Sequence, residues 1–424
     1  MKKEKLVLGF GVSGKAVVSY LLAQGERPTV LDKRAAELQS DPLAQKGVKL
    51  FPDRADFSLE GFDHLILSPG VPLIHPIVER AALQGIETIG EIEFAFRHIK
   101  NRCVGVTGTN GKTTTALLTT HVLNSAGIKA CSLGNIGESL TSYLEREDRE
   151  EILVVELSSF QLDTMRSECL EAAVLLNITP DHLDRYASMR EYAISKLSIE
   201  KRVFEGGKCF ISEKIRDEYS SLLVGDKWDF FDREEIESVA PISPIGYIQK
   251  GIPEKENVQA AFKLSSHFGV AKGVFLKGLE TFRKPSHRIE WVGEAKGVSY
   301  YDDSKATNID SVMHALKLFQ GPLLLIVGGV DKGASYKPWI EVFKGKVKKI
   351  FAYGEAASKM EEELSSHFPF KKVKAFQDAF ESAFLEAKEK ETVLLSPGCS
   401  SFDQFKSYAH RGDEFKRLLK EKMR

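Results

Sequence analysis

Short apolar runs alternate with amphipathic segments along residues 5–90 of the chain. The pattern predicts helices at GKAVVSYLLAQG and HPIVERAALQG, and each of them ends at a glycine, the residue that most easily takes the left-handed conformation closing a helix. Strands and helices in this order are typical of βαβ units and predict a parallel sheet. The predicted strands are KLVLGF, PTVLD, HLILSPG and IETIG.

The same alternation returns twice further along the chain. The second stretch starts near RCVGVTG, and a long helix is predicted over MREYAISKLSIEKRVFE at 189–205. Residues 224–256 have no regular spacing of apolar residues that would assign them to a helix or a strand. FRKPSHR at 282–288 has the composition of a linker. The further predicted elements are the strands EILVVELSS, AAVLLNITPDH, PLLLIVGG, KKIFAYG and TVLLSPG and the helix ENVQAAFKLSSHFG.

This pattern predicts an α/β protein of three domains, which is also what 424 residues allow for ordinary domain sizes. We expect an N-terminal Rossmann-like domain at 1–92 and a central P-loop ATPase-type parallel sheet at 93–284. A C-terminal Rossmann-like domain is expected at 285–424.

Composition narrows the class of protein. With 59 basic and 60 acidic residues the chain has no overall positive field, so nucleic-acid binding has no support. The five cysteines are scattered and form no CxxC pair, which favours a reduced compartment over a disulfide framework or a zinc site. No apolar stretch approaches the roughly 18–20 residues that span a bilayer, and the N-terminal apolar run is too short for a signal sequence. The chain is predicted to be cytoplasmic, without a membrane partner.

A glycine-rich turn follows the first predicted strand. In GFGVSG, Gly9, Gly11 and Gly14 have the full G-x-G-x-x-G spacing, and Asp32 ends the next strand where a ribose-binding acid is expected. Such a turn brings backbone amides and a helix N-terminus to a diphosphate. The motif alone leaves NAD, a UDP-type ligand or a structural turn open. Ser68, Pro69 and Gly70 form a second strand-end loop, whose simplest interpretation is a rigid turn.

GVTGTNGKTTT predicts a phosphate loop. Gly111, Lys112 and Thr113 match the G-K-[ST] end of a P-loop, whereas Val106 occupies the place of the first glycine, so the loop is a shorter variant. We expect backbone amides to surround the phosphates, Lys112 to reach the β and γ oxygens, and Thr113 to help hold Mg²⁺.

Polar residues at the ends of neighbouring strands are candidates for the metal site. Glu156 ends LVVELSS, and Asp181, His182 and Asp184 follow the strand in LLNITPDHLDRY. The carboxyl edge of a parallel sheet is where ligands gather, so a metal role for His182 competes there with a structural one. Lys196 lies in the next predicted helix, where a solvated lysine is the simplest interpretation.

Together these motifs resemble the Mur ligase family nearly from end to end. SSFQL, DSKATN and SSFDQF are similar to its D-glutamate-adding branch and unlike the branches that add L-alanine, the third residue or the dipeptide. Folylpolyglutamate synthetases share the phosphate loop and lack those signatures. The other motifs that carry the resemblance are SPGVPL, GTNGKTTT, GNIG, LNITPDHLDRY, HRIEWV, GGVDKG and SPGCSSFDQF.

The resemblance implies an ATP-dependent ligase of peptidoglycan precursor synthesis. A carboxylate of UDP-N-acetylmuramoyl-L-alanine would take the γ-phosphate of ATP, and the amine of D-glutamate would attack the resulting acyl phosphate. The resemblance also implies two Mg²⁺ ions and a monomeric, cytoplasmic enzyme. Phosphoryl transfer of this kind needs charge neutralisation and in-line positioning more than covalent help.

Lys112, Glu156, His182 and Lys196 are the catalytic residues that the resemblance implies. It places Thr113 and Glu156 on one Mg²⁺ and His182 on a second, and it matches Lys196 to a lysine that is carbamylated in the family. A bare ammonium beside Mg²⁺ would be repelled by roughly 8 kcal/mol at about 4 Å and an effective dielectric constant near 20. A carbamate reverses the sign of the charge and offers an oxygen ligand.

The remaining implied contacts fall into three groups. For ATP they are Thr109, Asn110, Gly111, Lys112, Thr113, Thr114, Thr115, Asn257, His287, Arg288, Asp303 and Lys305. For the UDP-linked substrate they are Val12, Ser13, Asp32, Lys33, Arg34, Ser68, Pro69, Gly70 and Asn135, the last of which could instead touch the phosphates. For D-glutamate they are Thr307, Lys332, Ser401, Phe402 and Tyr408, a set that offers the cation and hydroxyl donors a dicarboxylate needs.

Four positions depart from the family pattern. Pro253 and Glu254 replace the usual His-Asn, which puts adenine recognition at these two positions in doubt. Asp302 replaces the usual Asn, and Tyr408 stands where Phe is common. Other functions remain open: another Mur-type or folylpolyglutamate-type ligase, a NAD-dependent enzyme built on GFGVSG, or a P-loop regulatory ATPase.

Overall fold

Three β-sheets form the framework of the chain. The computed structural model describes residues 4–182, 185–231 and 254–423. The first two sheets, together with residues 256–278, belong to one compact unit, and the third sheet and residues 179–182 belong to another. Among the described residues, no helix is long and apolar enough to cross a membrane.

The N-terminal sheet is parallel, with the order β3-β2-β1-β4-β5. Its central strands are buried on both faces, since Val7 and Ile66 join one apolar cluster while Leu6 and Leu65 join the other. Burial on both faces is why these strands are continuous apolar runs in the sequence. The strands are β1 (Glu4–Leu8), β2 (Thr29–Asp32), β3 (Lys49–Pro52), β4 (Phe62–Leu67) and β5 (Glu87–Gly90), and the helices are α1 (Val12–Ala23), α2 (Pro76–Leu83) and α3 (Glu91–Phe96).

The second sheet is also parallel, with the order β11-β10-β9-β6-β8-β7. Its strands are β6 (Cys103–Thr107), β7 (Ala130–Gly134), β8 (Ile152–Glu156), β9 (Leu170–Leu175), β10 (Val203–Ser212) and β11 (Trp228–Phe231). The helices that follow in the chain are α4 (Lys112–Ser125), α5 (Leu140–Tyr143), α6 (Ser159–Thr164), α7 (Met189–Leu197), α8 (Glu213–Tyr219), α9 (Lys255–His267) and α10 (Lys272–Thr281). β6 and β9 lie at the centre, so the loops after them meet at one edge.

The third sheet is mixed, because β12 pairs antiparallel with β13 and the other pairs are parallel. Its order is β12-β13-β17-β14-β15-β16. The strands are β12 (Glu290–Ala295), β13 (Val298–Asp302), β14 (Leu323–Gly328), β15 (Val347–Tyr353), β16 (Phe370–Lys372) and β17 (Thr392–Gly398). The helices are α11 (Ile309–Lys317), α12 (Trp339–Phe343), α13 (Ala357–Leu364), α14 (Phe376–Glu386) and α15 (Tyr408–Lys422).

The predicted α/β class is confirmed, and the long helix predicted at 189–205 is wrong beyond Leu197. The α-helix ends there, a 3₁₀ turn covers Ser198–Arg202, and β10 begins at Val203. Val203 pairs with Leu170 of β9, so sheet pairing ends the helix before its predicted limit. The predicted domain limits at 92/93 and 284/285 stay predictions.

Candidate active site

The predicted phosphate loop connects β6 to α4. Gly108 and Gly111 have φ values of 148° and 85°, a region that glycine tolerates best. A Cβ atom on Gly111 would lie 2.3 Å from Oδ1 of Asn257, so the loop also needs glycine there for space. The ammonium of Lys112 lies back over the loop and donates hydrogen bonds to the carbonyls of Gly108 (2.7 Å) and Thr109 (2.8 Å). The loop therefore holds a cation at the N-terminus of a helix, an arrangement suited to an anion.

A second observation at the same sheet edge is the hydrogen-bonded trio of Thr113, Glu156 and Asn135. Glu156 is 2% exposed. Its Oε2 accepts from Thr113 Oγ1 at 2.8 Å and its Oε1 from Asn135 Nδ2 at 3.0 Å. Carboxylate, hydroxyl and amide oxygens are ligands that Mg²⁺ accepts, so these residues fit the predicted metal.

Lys196 reaches the loop from α7. Its side chain is 2% exposed, and its Nζ donates to the carbonyl of Gly108 at 2.9 Å. The ring of Tyr192 lies 4.7 Å from Nζ, and the hydroxyl of Tyr192 is 3.2 Å from Thr109 Oγ1. The simple interpretation of Lys196 as a solvated lysine is therefore wrong. Its predicted carbamylation stays a prediction.

Asn177 is a loop residue for which the sequence analysis assigned no role. Its Oδ1 accepts from the amide of Asn110 at 2.8 Å, and its Nδ2 donates to the carbonyl of Asn110 at 3.1 Å. The carbonyl of Asn177 also accepts from the amide of Thr109 at 2.9 Å. The sequence did contain a signal for this role, because Asn177 follows a predicted buried strand. The end of that strand, β9, lies beside the end of β6, where the phosphate loop begins.

The N-terminal turn is held by Asp32. One carboxylate oxygen accepts from the amide of Phe10 at 2.7 Å and the other from the amide of Arg34 at 2.8 Å. Gly14 packs so closely on the turn that a Cβ atom would lie 1.9 Å from the carbonyl oxygen of Gly9. Asp32 thus shapes the turn through the backbone.

The other predicted substrate residues of this sheet lie around the same turn. Ser68 Oγ donates to the carbonyl of Gly9 at 2.9 Å, so the second strand-end loop contacts the glycine-rich turn. Val12 is exposed, as are Lys33, Arg34 and Gly70, while Ser13 and Pro69 are partly buried.

His182 belongs to the other compact unit together with Asp181. It has a φ of 55°, and its side chain is 38% exposed. Asp181 is fixed by Asn308, whose Nδ2 donates to Asp181 Oδ2 at 3.0 Å. The predicted role of His182 on a second metal stays a prediction, and Asp184 lies outside the described residues.

The C-terminal unit brings four predicted residues together: His287, Asp303, Lys305 and Tyr408. Nζ of Lys305 lies 4.1 Å from the ring centre of Tyr408, and the amide of Lys305 donates to the carbonyl of His287 at 3.0 Å. Burial raises the pKa of Asp303 to about 8, although Ser396 donates to its Oδ2 at 2.8 Å. Partly buried Arg288 is the neighbour of His287 in the chain.

Two of the residues that depart from the family pattern, Asp302 and Glu254, contact specific side chains. Asp302 is 0% exposed and lies 2.7 Å from Nδ1 of His287. Glu254 accepts from Lys284 at 2.7 Å. Burial opposes the charge on Glu254, but Lys284 and His314 lower its pKa to about 2. Pro253 lies outside the described residues.

The residues predicted for D-glutamate follow the strand ends of the third sheet. Ser401 is buried and Thr307 partly buried, whereas Lys332 and Phe402 are exposed. An antiparallel bridge joins Val330 to Ser400, which brings the loops that carry Lys332 and Ser401 side by side. The assignment of this set stays a prediction.

A phosphate loop, a strand-end carboxylate and three α/β sheets define a P-loop nucleotide-binding protein. Three family models match the chain: Mur ligase MurD-like, N-terminal domain at residues 3–90, Mur ligase middle domain at 106–226, and Mur ligase, glutamate ligase domain at 287–399. The chain belongs to the Mur ligase family.

Curated relatives and solved structures agree with this assignment. A UDP-N-acetylmuramoylalanine–D-glutamate ligase of Protochlamydia amoebophila (strain UWE25) is 44% identical over 99% of this chain and 98% of its own length. A protein of the same name from Chlamydia pneumoniae is 36% identical, with 98% of both chains covered. The crystal structure of MurF ligase from Thermotoga maritima in complex with ADP has a TM-score of 0.60 at 17% identity, covering 94% of this chain and 96% of that one. The structural likeness shows the fold.

Proposed function

We propose that the chain is the ATP-dependent ligase that joins D-glutamate to UDP-N-acetylmuramoyl-L-alanine in peptidoglycan precursor synthesis. The observation that carries the proposal is the contact of Thr113 with Glu156 beside the phosphate loop, in a chain 44% identical over its whole length to a relative of that name. These residues provide for phosphoryl transfer, and the relatives' name supplies the acceptor and the amino acid.

The chemistry proceeds in two steps. A carboxylate oxygen of the UDP-linked substrate attacks the γ-phosphorus of ATP, the bond from that phosphorus to the β,γ-bridging oxygen breaks, and ADP leaves. The amine of D-glutamate then attacks the acyl carbon, loses a proton and expels phosphate, which leaves a new amide. Lys112 supports the first step by neutralising charge on the transferred phosphoryl group. Bound Mg²⁺, held by Thr113 and Glu156, would supply further neutralisation.

The N-terminal sheet provides the binding site for the UDP group. Val12, the first residue of α1, is exposed to solvent after the glycine-rich turn, and Asp32 fixes the amides of Phe10 and Arg34. A diphosphate suits such a turn because amides and a helix N-terminus favour negative charge. In this account NAD is not the ligand of GFGVSG. Addition of NADH with fluorescence detection tests this, since saturable NADH binding would favour the rival enzyme.

Carbamylation of Lys196 forms part of the proposal. Its ammonium lies 2.9 Å from the carbonyl of Gly108, within the loop that receives phosphates. An added carbamate would carry negative charge to that position and could coordinate Mg²⁺. Intact-protein mass and ¹³C NMR after incubation with labelled bicarbonate test this directly. Full activity of Lys196→Ala, or free lysine in the ATP complex, would contradict it.

Cellular placement and assembly are part of the proposal as well. We infer a cytoplasmic monomer, divided into domains at 92/93 and 284/285, that binds neither nucleic acid nor membrane. Sedimentation at several protein concentrations tests the monomer, and limited proteolysis tests the domain limits.

Phosphate release across a panel of acceptors tests the function. The chain should release phosphate from ATP only when UDP-N-acetylmuramoyl-L-alanine and D-glutamate are both present, and L-glutamate or other amino acids should not replace D-glutamate. A regulatory ATPase would release phosphate without either acceptor. Activity that is indifferent to the amino acid would contradict the proposal.

A further inference from the structure

Arg411 of α15 is a fully buried cation to which no carboxylate of the described residues is bonded. Its side chain is 0% exposed. The hydrogen bonds that it donates all end on neutral oxygen atoms, in carbonyl and hydroxyl groups. Burial of a guanidinium is costly unless dipoles or a bound anion compensate its charge. The position of Arg411 therefore points to a role besides packing.

The guanidinium donates hydrogen bonds to residues at the ends of four neighbouring strands, at three of them to backbone carbonyls. Nε donates to Ser304 Oγ at 2.9 Å, and Nη2 donates to the carbonyls of Ser304 (2.8 Å) and Cys399 (3.1 Å). Nη1 reaches the carbonyl of Gly328 at 3.4 Å and the hydroxyl of Tyr353 at 3.3 Å. Ser304, Gly328 and Cys399 lie at the ends of β13, β14 and β17, which are neighbours in the sheet. One side chain thus fixes three loops at one edge.

These three loops carry the residues assigned to the amino-acid substrate. Thr307 follows Ser304, Lys332 follows Gly328, and Ser401 follows Cys399, each within a few residues. The same network continues to Tyr408, because Ser304 Oγ donates to its carbonyl at 2.8 Å.

We propose that Arg411 positions the amino-acid site and adds to the charge of Lys332 a buried positive charge that favours a dicarboxylic amino acid. The proposal rests on the proposed function. Arginine suits both roles, because its planar guanidinium carries five N–H donors and a positive charge. A buried cation that is solvated by neutral oxygens and bonded to no carboxylate of the described residues keeps its full charge beside the site, and that charge favours D-glutamate over D-glutamine, which has the same shape and one charge fewer.

Two substitutions at Arg411 separate the effect of its charge from the effect of its hydrogen bonds to the strand ends. Arg411→Lys keeps the charge and loses the planar guanidinium, whereas Arg411→Gln loses both. Arg411→Gln should raise KM for D-glutamate by about 10-fold or more and lower the ratio of kcat/KM for D-glutamate over D-glutamine by a similar factor. Arg411→Lys should lower kcat and keep that ratio, and KM for ATP should change little in either variant. A merely structural role would lower the activity and thermal stability of both variants and leave the ratio unchanged, which would overturn the proposal.

Ser304→Ala provides a second route if the arginine variants do not fold. It removes the acceptor of Nε and keeps the charge of Arg411, so kcat should fall while the ratio stays at the wild-type value. A ratio that falls in Ser304→Ala would overturn the assignment of selectivity to charge. Wild-type inactivity with every amino acid would overturn the proposed function and this proposal with it. An active wild type whose ratio is insensitive to Arg411→Gln overturns this proposal alone.

Discussion

Thr113 Oγ1 donates a hydrogen bond of 2.8 Å to Oε2 of Glu156, which joins the first turn of α4 to the end of β8. The two side chains come from different parts of the chain, and parallel pairing of β6 with β8 brings them to one edge. A hydroxyl oxygen and a carboxylate oxygen are both ligands that Mg²⁺ accepts, so this pair would be able to hold a divalent cation.

Replacing Glu156 with Gln should abolish most of the activity. The substitution keeps the shape and removes the charge that would hold Mg²⁺, and a loss of about 10²–10³-fold in kcat is expected from losing one preorganised electrostatic contact. The matched control is Glu150→Gln, because the Glu150 side chain is 79% exposed. Steady-state phosphate release over a range of Mg²⁺ concentrations provides the measurement. Near-normal kcat in Glu156→Gln would remove Glu156 from the metal site.

Gly111→Ala should weaken nucleotide binding specifically. Gly111 and Gly127 have similar positive φ values, 85° and 81°, so alanine costs both positions about 1 kcal/mol of backbone strain. A Cβ atom meets Asn257 Oδ1 at 2.3 Å only at Gly111, since nothing lies within 4 Å at Gly127. Both variants should lose similar stability from strain, and calorimetric ATP affinity should fall only in Gly111→Ala. Equal ATP affinity in the two variants would contradict the role of the loop.

Much of this arrangement follows from local sequence patterns. Strands buried on both faces, the helix-ending Gly25 and Gly85, with φ of 75° and 68°, and the phosphate loop are all determined by nearby residues. The hairpin of β12 and β13 was not predicted, although its two-residue turn, Lys296-Gly297, contains a glycine. Both turn residues have positive φ values, 52° and 71°, which is typical of a tight hairpin turn.

The parts that could not be predicted depend on distant partners. The early end of α7 results from the pairing of Val203 with Leu170. The buried ammonium of Lys196 is bonded to the carbonyl of Gly108, which is far away in the chain. Arg411 has no motif of its own, because the groups it binds are mostly backbone carbonyls whose proximity only the assembled sheet creates.

Glu254 and Lys284 should behave as a coupled buried pair. Their side chains are 17% and 7% exposed, and removing one partner deprives a buried charge of its direct ion pair. Glu254→Gln or Lys284→Met alone should lower the free energy of unfolding by about 3–5 kcal/mol, and the double variant should lose clearly less than the sum. Urea denaturation of the three variants gives the coupling energy. Additive losses would show that the pair is not coupled.

Asp303 should make stability depend on pH. Its pKa is raised from 3.8 to about 8, chiefly by burial, so the folded state holds a proton that the unfolded state releases. The stabilisation is fully present below the unfolded pKa of 3.8 and is lost as pH rises through about 8. Asp303→Asn removes this titration, so the stability of the wild type relative to the variant should fall as pH rises across that window. A difference that is independent of pH in denaturant titrations would contradict the burial of an ionisable carboxyl.

The central claim is that the γ-phosphoryl group of ATP, bound by the phosphate loop, passes to the carboxylate of the UDP-linked substrate, and that the amine of D-glutamate then displaces phosphate from the acyl phosphate. Oxygen-18 in the carboxylate of UDP-N-acetylmuramoyl-L-alanine tests this most directly, because the oxygen that attacks the γ-phosphorus leaves with inorganic phosphate. Mass spectrometry of the phosphate released with ATP and D-glutamate should find one ¹⁸O atom in each phosphate, at full labelling, for each amide formed. Phosphate free of ¹⁸O, released at the rate of the reaction, would contradict the account.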